Sequence, residues 1–319
     1  MRKVTSAVMT IGEILNATGG SLIRGESERI FHRVSIDSRQ MQEGDLFICL
    51  KGENFDGHHF LAAAAAAGAG GFVVQNDPGR DLSGVPGEKP VIMVADTLKA
   101  LGEIARFRRK KLNVPVIAIT GSSGKTTTKE MVAGILGLTK NVLKTEGNLN
   151  NRIGLPLTLL RLTAQHDVAV VEMGTNMPGE IACLTRIAEP GIGLITNIGA
   201  AHLEKLKSLA NIREEKGALF QNMDQTGIAV INRDDKALEV LGHRWQGKQI
   251  TFGWKQQADV SAHDIRKTSA QGIAFRLRYG QETRQVQMQV TGEHNLYNAL
   301  GAAAVSLAFG ADLDSIRQG

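Results

Sequence analysis

A lysine followed by threonines and preceded by a short turn between two glycines is chemistry for anions. Residues 119–128 read Ile-Thr-Gly-Ser-Ser-Gly-Lys-Thr-Thr-Thr, after an apolar run over 114–119 and before a helix-like run over 126–138. Strand, glycine-rich turn and helix in that order make a phosphate cradle, because backbone N–H groups and the positive helix end surround the anion. Gly121, Ser122, Ser123, Gly124, Lys125, Thr126 and Thr127 are its candidate contacts. Lys125 adds a point charge and Thr126 offers a hydroxyl to Mg²⁺. The general phosphate-loop pattern has glycine five positions before Gly124, where this chain has Ile119, so the loop is a compact variant.

A cradle of this kind needs a sheet whose strand ends meet at it. The chain reads as strands over 114–120, 141–144, 167–173, 192–196, 227–231 and 249–252, with helical segments between them. That alternation predicts a doubly wound α/β domain with a mainly parallel sheet. Residues 260–290 alternate polar and apolar positions, as antiparallel strands do, and 291–309 return to a helix of small residues. Residues 1 to 85 or so read as a smaller α/β unit, with a capped helix start at Thr10 and a small-residue helix over 60–68. The Gly/Pro-rich stretch 78–90 reads as a loop or hinge, which sets the expected domains at 1–88 and 89–319.

Composition removes several function classes. A chain of 319 residues fits two domains, and 42% apolar content is enough to pack them. Aromatics make up only 4%, which argues against a base-stacking nucleic-acid surface. The run Arg106-Phe-Arg-Arg-Lys-Lys reads as the solvated end of a helix, where the dipole favours cations. A net charge of +5 suits an anionic substrate and serves solubility equally. Cys49 and Cys183 stand far apart in apolar surroundings and read as free thiols in a reducing compartment. The first residues lack the apolar core of a signal peptide and no run is long enough to span a bilayer, so the expectation is a cytoplasmic protein.

Ligands of open parallel sheets bind at the carboxyl ends of the strands, and polar candidates cluster there. Glu172 ends an apolar strand, the position from which a carboxylate holds Mg²⁺ beside a phosphate loop. His202 follows the next strand and a small-residue turn; a structural histidine and a catalytic one are equally consistent with that pattern. Lys216 reads by itself as a solvated helix lysine. Asn148, Asn150 and Asn151 offer amide donors and acceptors, which turn chemistry alone also explains. Asn295 and Asn298 share a face at a helix start, where an amide reads an adenine edge or caps the helix.

Taken together, these segments resemble the Mur ligases, ATP-dependent amide-forming enzymes of bacterial cell-wall synthesis. The resemblance rests on Thr120-Gly-Ser-Ser-Gly-Lys-Thr-Thr-Thr, Val171-Glu-Met-Gly, Asn197-Ile-Gly-Ala-Ala-His-Leu-Glu, Glu215-Lys-Gly and Gly292-Glu-His-Asn-Leu-Tyr-Asn-Ala. Asp37-Ser-Arg-Gln, Gly57-His-His-Phe, Asn148-Leu-Asn-Asn-Arg-Ile-Gly-Leu-Pro and Glu172-Met-Gly-Thr-Asn-Met-Pro-Gly point to the family member that joins D-Ala-D-Ala to UDP-N-acetylmuramoyl-tripeptide. The resemblance implies a UDP-sugar-binding N-terminal domain and a central ATPase domain, without the family's C-terminal Rossmann-like domain. It implies ATP and two Mg²⁺ as cofactors, an acyl-phosphate intermediate, and a monomer that takes no nucleic acid and no membrane.

The resemblance also assigns residues. Lys125, Lys216 and His202 become catalytic, with Thr126, Glu172, His202 and Lys216 at the metals and Lys216 in the place of the family's CO₂-carboxylated lysine. Asn298 takes the place of the adenine-reading asparagine, with Asn295 beside it. Ser38, Arg39, Asn148, Asn151 and Thr175 become substrate contacts. The alternatives are a related ligase that adds a diamino acid, a folylpolyglutamate synthetase, and a fragment that binds ATP or UDP-sugar without joining anything. A phosphate-loop GTPase is disfavoured, because the guanine-reading Asn-Lys-x-Asp motif is missing.

Overall fold

The computed structural model describes residues 9–52, 55–77, 79, 81–200, 203–268 and 272–319. The chain forms two compact units, Met1–Asn113 with Leu159–Ala164, and Val114–Thr158 with Gln165–Gly319.

The smaller unit runs β1 (Met9–Thr10), α1 (Ile11–Thr18), β2 (Ser21–Arg24), β3 (Ile30–Phe31), β4 (Val34–Ser35), β5 (Leu46–Ile48), α2 (Leu61–Ala66), β6 (Gly71–Gln75), β7 (Val91–Val94) and α3 (Thr97–Leu112). Helix α1 starts with the expected cap: Thr10 accepts from the Glu13 N–H, and Glu13 accepts from the Thr10 N–H. The main sheet has the order β2-β7-β6-β5-β4, with β2 antiparallel to its neighbour and the others parallel. Phe47, Phe72, Val74 and Val91 fill its core with the buried Cys49.

The expected boundary at 88/89 moves to 113/114. Strand β7 pairs with β6 and β2 inside the small sheet, and α3 packs on α1. The stretch 78–90 therefore joins two neighbouring strands of one sheet and does not link domains.

The larger unit contains β8 (Val116–Thr120), α4 (Lys125–Gly137), β9 (Val142–Lys144), α5 (Gly154–Leu160, whose last two residues count with the smaller unit), β10 (Val168–Glu172), α6 (Glu180–Ala188), β11 (Ile192–Ile195), α7 (Leu203–Leu206) and α8 (Leu209–Asn222). It continues with β12 (Ile228–Asn232), α9 (Lys236–Arg244), β13 (Lys248–Gly253), β14 (Val260–Lys267), β15 (Ile273–Tyr279), β16 (Glu282–Met288), α10 (Glu293–Ala308) and α11 (Leu313–Gln318). Nine strands make one sheet in the order β16-β15-β14-β13-β12-β11-β8-β10-β9. It is parallel from β9 to β14, then closes with the antiparallel hairpin β15–β16.

Central strands buried on both faces read as unbroken apolar runs, which is why β8 (Val-Ile-Ala-Ile-Thr) and β10 (Val-Ala-Val-Val-Glu) have no polar residue before their ends. Ile117, Ile119, Val170, Leu194 and Val230 pack under Val132 and Leu136 of α4 and the small residues Ala302 to Ala304 of α10. Burying each Val, Leu or Ile side chain contributes about 1.5–3 kcal/mol. After β8 the chain goes to β9 and β10 on one side, and β11 lies on the other. The ends of β8 and β11 therefore flank the point where strand order reverses, the usual location of a ligand crevice. Among the described residues, no helix is long and apolar enough to cross a membrane.

Candidate functional site

The turn between β8 and α4 requires its glycines. Gly121 has φ +149° and Gly124 has φ +76°. A Cβ on Gly121 would come within 1.9 Å of Thr196 Oγ1, and one on Gly124 within 2.2 Å of Asn298 Oδ1. The turn is held to the end of β11 by side chains and backbone alike. The Ser122 N–H donates to Asn197 O at 3.1 Å, the Ser123 N–H to Asn197 Oδ1 at 3.0 Å, and Thr196 Oγ1 to Ser123 O at 2.5 Å. Ser122 Oγ donates to Gly199 O at 3.0 Å and accepts the Gly199 N–H at 2.9 Å. Both serines thus shape the turn with their amides already engaged. The first-turn amides of α4, Lys125 to Thr127, have no acceptor within the helix and carry its positive end.

Lys125 and Lys216 come from different helices, yet each ammonium donates to the same carbonyl, Gly121 O, at 3.0 Å. Burial pushes the pKa of Lys125 down, while the Glu172 carboxylate opposes the shift. Lys216 is 2% exposed. Burial first, and the Lys125 charge second, lower its pKa from 10.5 to about 8 against the pull of Glu215. The lysine that reads as solvated by local pattern is therefore a buried amine at the centre of the site.

Glu172 is also 2% exposed, and both its oxygens are held. Thr126 Oγ1 donates to Oε2 at 2.8 Å and Asn150 Nδ2 to Oε1 at 2.7 Å, while its N–H donates to Thr145 Oγ1 at 3.0 Å. A carboxylate beside a hydroxyl is the hard-oxygen donor set that Mg²⁺ takes, so Glu172 and Thr126 fit that ion. His202 lies outside the described residues.

Beyond the turn, a cavity of about 920 Å³ opens past Gly124 and Thr127, bounded by Asn197, Asp234, Lys255, Tyr297 and Asn298. Asp234 organises its far wall. Its carboxylate accepts the N–H groups of Trp254, Lys255 and Gln256 at 2.8, 3.1 and 2.9 Å and the Tyr297 hydroxyl at 3.1 Å. Burial, and then the Asp234 charge, push the Tyr297 phenol up to about 12. Asp235 caps α9 through the Ala237 N–H and accepts the Ile198 N–H at 3.0 Å. Asn298 is buried against Gly124, accepts from Thr128 Oγ1 at 3.4 Å and donates to Asn295 Oδ1 at 3.3 Å. Asn295 donates to Thr291 O at 2.8 Å.

The remaining expected contacts lie on other turns and loops. Ser38 and Arg39 lie on a 3₁₀ turn of the smaller unit, capped by Asp37. Arg39 is 85% exposed and grips Asp37 through two bonds of 2.9 and 2.8 Å, which lower the Asp37 carboxyl to about 2. Asn148 is exposed. Asn151 accepts the N–H groups of Ile153 and Gly154 at 3.0 and 2.8 Å and so caps the start of α5. Thr175 is buried with its hydroxyl on Met177 O at 2.9 Å and Glu215 Oε1 at 3.1 Å, bracing the loop before α6. Sequence reasoning assigned no role to Thr145, Asn197, Asp234 or Tyr297, and left Asn150 open between an amide contact and turn chemistry. The run Asn232-Arg-Asp-Asp between strand and helix was the available signal for Asp234.

Comparison with known proteins gives two family matches. A model described as the Mur ligase family, catalytic domain, matches residues 30–109, and one described as the Mur ligase middle domain matches 119–306. The chain is 41% identical over 295 residues to the UDP-N-acetylmuramoyl-tripeptide–D-alanyl-D-alanine ligase of Escherichia coli (strain K12), covering 90% of this chain and 62% of that protein. It is 39% identical to the ligase of the same name from Haemophilus influenzae, covering 98% of this chain and 66% of that protein. The chain thus spans a little under two thirds of the length of these relatives. Among solved structures, MurF from Acinetobacter baumannii superposes with a TM-score of 0.89 at 35% identity over 97% of this chain and 67% of that one. MurF ligase from Thermotoga maritima, in complex with ADP, superposes with a TM-score of 0.80 at 28% identity over 90% of this chain and 66% of that one.

Proposed function

The chain belongs to the Mur ligase family, and from that premise we propose that it carries the ATP-using machinery of an enzyme that joins D-Ala-D-Ala to UDP-N-acetylmuramoyl-tripeptide. The observation that carries this reading is the convergence of Lys125, Lys216, Thr126 and Glu172, from three elements, around the Gly121 turn. Anion-binding amides, two ammonium groups and a buried carboxylate with a hydroxyl are what a triphosphate with a divalent cation requires.

ATP phosphates lie on the first turn of α4, with Lys125 against the transferring oxygens. The terminal carboxylate of the tripeptide attacks the γ-phosphoryl group, giving an acyl phosphate and ADP. The amine of D-Ala-D-Ala then attacks the acyl carbon, and phosphate leaves as the amide forms. Activation is needed because hydroxide is a poor leaving group from a carboxylate. The protein's share is positioning and electrostatics in a water-poor cleft. Thr126 and Glu172 are the residues that would hold Mg²⁺, which supplies charge neutralisation at the phosphate oxygens. Lys216 is the candidate for carboxylation: burial keeps a share of it as the free amine, the form that takes up CO₂. The base stacks or docks in the cavity beyond Gly124, with Asn295 and Asn298 on its near wall.

In the smaller unit, Arg39 is the fork for a diphosphate, exchanging Asp37 for the ligand. Asn151 and Thr175 serve the substrate indirectly, through the loops they fix, and the exposed Asn148 is left to contact it directly. The test is ADP release in the presence of UDP-N-acetylmuramoyl-tripeptide with either D-Ala-D-Ala or a diamino acid offered as amine. Release that depends on D-Ala-D-Ala is the expected result. Release driven only by the diamino acid would move the chain to the neighbouring family member. No release, with ATP and the UDP-sugar still bound, would leave a binding module.

A further inference from the structure

Helix α4 carries a second lysine for which phosphate binding gives no task. Lys129 follows Lys125 by one helical turn and is 1% exposed. Its ammonium donates to Thr145 O at 2.6 Å and pairs with Glu130 Oε1 at 2.8 Å. Glu130 lies at the surface, where it also pairs with Lys144. An ammonium taken out of water is costly, and a methionine of similar length would pack in the same space without that cost. The cost is met here by a contact to one particular carbonyl, so the question is what that carbonyl governs.

Thr145 follows β9 and opens the segment that leads to Asn150. Its N–H donates to Val170 O at 3.1 Å and its hydroxyl accepts the Glu172 N–H at 3.0 Å. Asn150, five residues on, donates to Glu172 Oε1 at 2.7 Å, and its carbonyl accepts the Gly174 N–H at 2.8 Å. Thr126, three residues before Lys129, donates to Glu172 Oε2 at 2.8 Å. One helix therefore reaches Glu172 twice: directly through Thr126, and through Lys129 by way of Thr145 and its segment.

We propose that Lys129 is a positioning residue that clamps the Thr145 carbonyl, fixes the segment that presents Thr145 and Asn150 to Glu172, and so sets the Glu172 carboxylate for a divalent cation. This rests on the reading that Glu172 and Thr126 hold Mg²⁺ with ATP. Outer partners of metal ligands change metal affinity by about 10- to 100-fold when removed, and Lys129 acts at that remove.

The experiment is titration of this chain with ATP, once with Mg²⁺ and once with EDTA, for the parent, Lys129→Met and Thr145→Val. Thr145→Val keeps the carbonyl and the volume and removes only the hydroxyl that receives the Glu172 N–H. The expected result is a roughly 10-fold or greater weakening with Mg²⁺ in both variants and parent-like affinity in EDTA. Circular dichroism melts accompany the titrations, and should Lys129→Met fail to fold, Thr145→Val decides the outcome. Parent-like affinity with Mg²⁺, or an equal loss with and without it, overturns the proposal. If the parent binds ATP in neither condition, the reading of the site itself falls and the proposal falls with it.

Discussion

Around the Gly121 turn, the charged groups are taken out of water: Glu172 and Lys216 are each 2% exposed, and each has its partners fixed by hydrogen bonds. At the far wall of the cavity the plan is the reverse. Lys255 and Glu293 pair in the open, with side chains 52% and 55% exposed, and Asp234 holds a loop by its backbone. The first region fixes charges in a low-dielectric setting before a ligand arrives, which is where electrostatics have the greatest effect on a reaction. The second shapes a wall with groups that water largely screens. Charge changes in the first region should therefore act on chemistry, and changes in the second on affinity and shape.

The sharpest way to break that contrast is Lys125→Ala. We expect ADP release in the ligation assay to fall at least about 100- to 1,000-fold, with a smaller change in the affinity for the nucleotide. Comparable losses in both would erase the distinction between the two regions.

Lys216→Met tests the same region through stability. The folded-state pKa of Lys216 is depressed to about 8 from 10.5, so between those values the unfolded chain binds more protons and stability climbs with pH. Below pH 8 the native state carries the full cost of the buried cation. In CO₂-free buffer at pH 7, Lys216→Met should be more stable by about 2–3 kcal/mol in urea denaturation, and its advantage should vanish towards pH 10.5. Ligase activity should be lost. A variant that is both less stable and flat in pH would remove Lys216 from the buried-amine role.

The smallest effects belong to the open wall. Asp234→Asn should weaken ATP about tenfold by loosening the 254–256 loop and Tyr297, with turnover at saturating ATP within a factor of about two. Lys255→Ala should change affinity only a few-fold, and less at high salt. A collapse of turnover in either variant would show that this wall also takes part in the chemistry.

The two regions differ equally in how far they could be read from the chain. The six strands β8 to β13 of the large sheet were legible to within about two residues, because strands buried on both faces leave unbroken apolar runs, whereas β14 to β16 were read only as one alternating stretch. The phosphate turn was legible because its chemistry is local in sequence. What Ser122 and Ser123 do with their amides was not, since their acceptor is Asn197, more than 70 residues away. Lys216 reaches Gly121 across 95 residues, and Tyr297 reaches Asp234 across 63. Only the family resemblance picked out the first of these, and nothing picked out the second. The domain boundary was misplaced because glycine and proline mark a turn between paired strands as readily as a linker.

The shared Gly121 carbonyl has one further consequence. Two like-charged ammonium groups on a single oxygen are antagonists: the Lys125 charge makes the Lys216 proton easier to lose. Should Lys216 take up CO₂, its charge would invert and the antagonism would become mutual support, with a carbamate beside Lys125 strengthening that lysine's hold on its proton. Carbon dioxide would then act on this protein as a charge-reversing effector, coupling the protonation of one helix to the covalent state of another through one backbone oxygen.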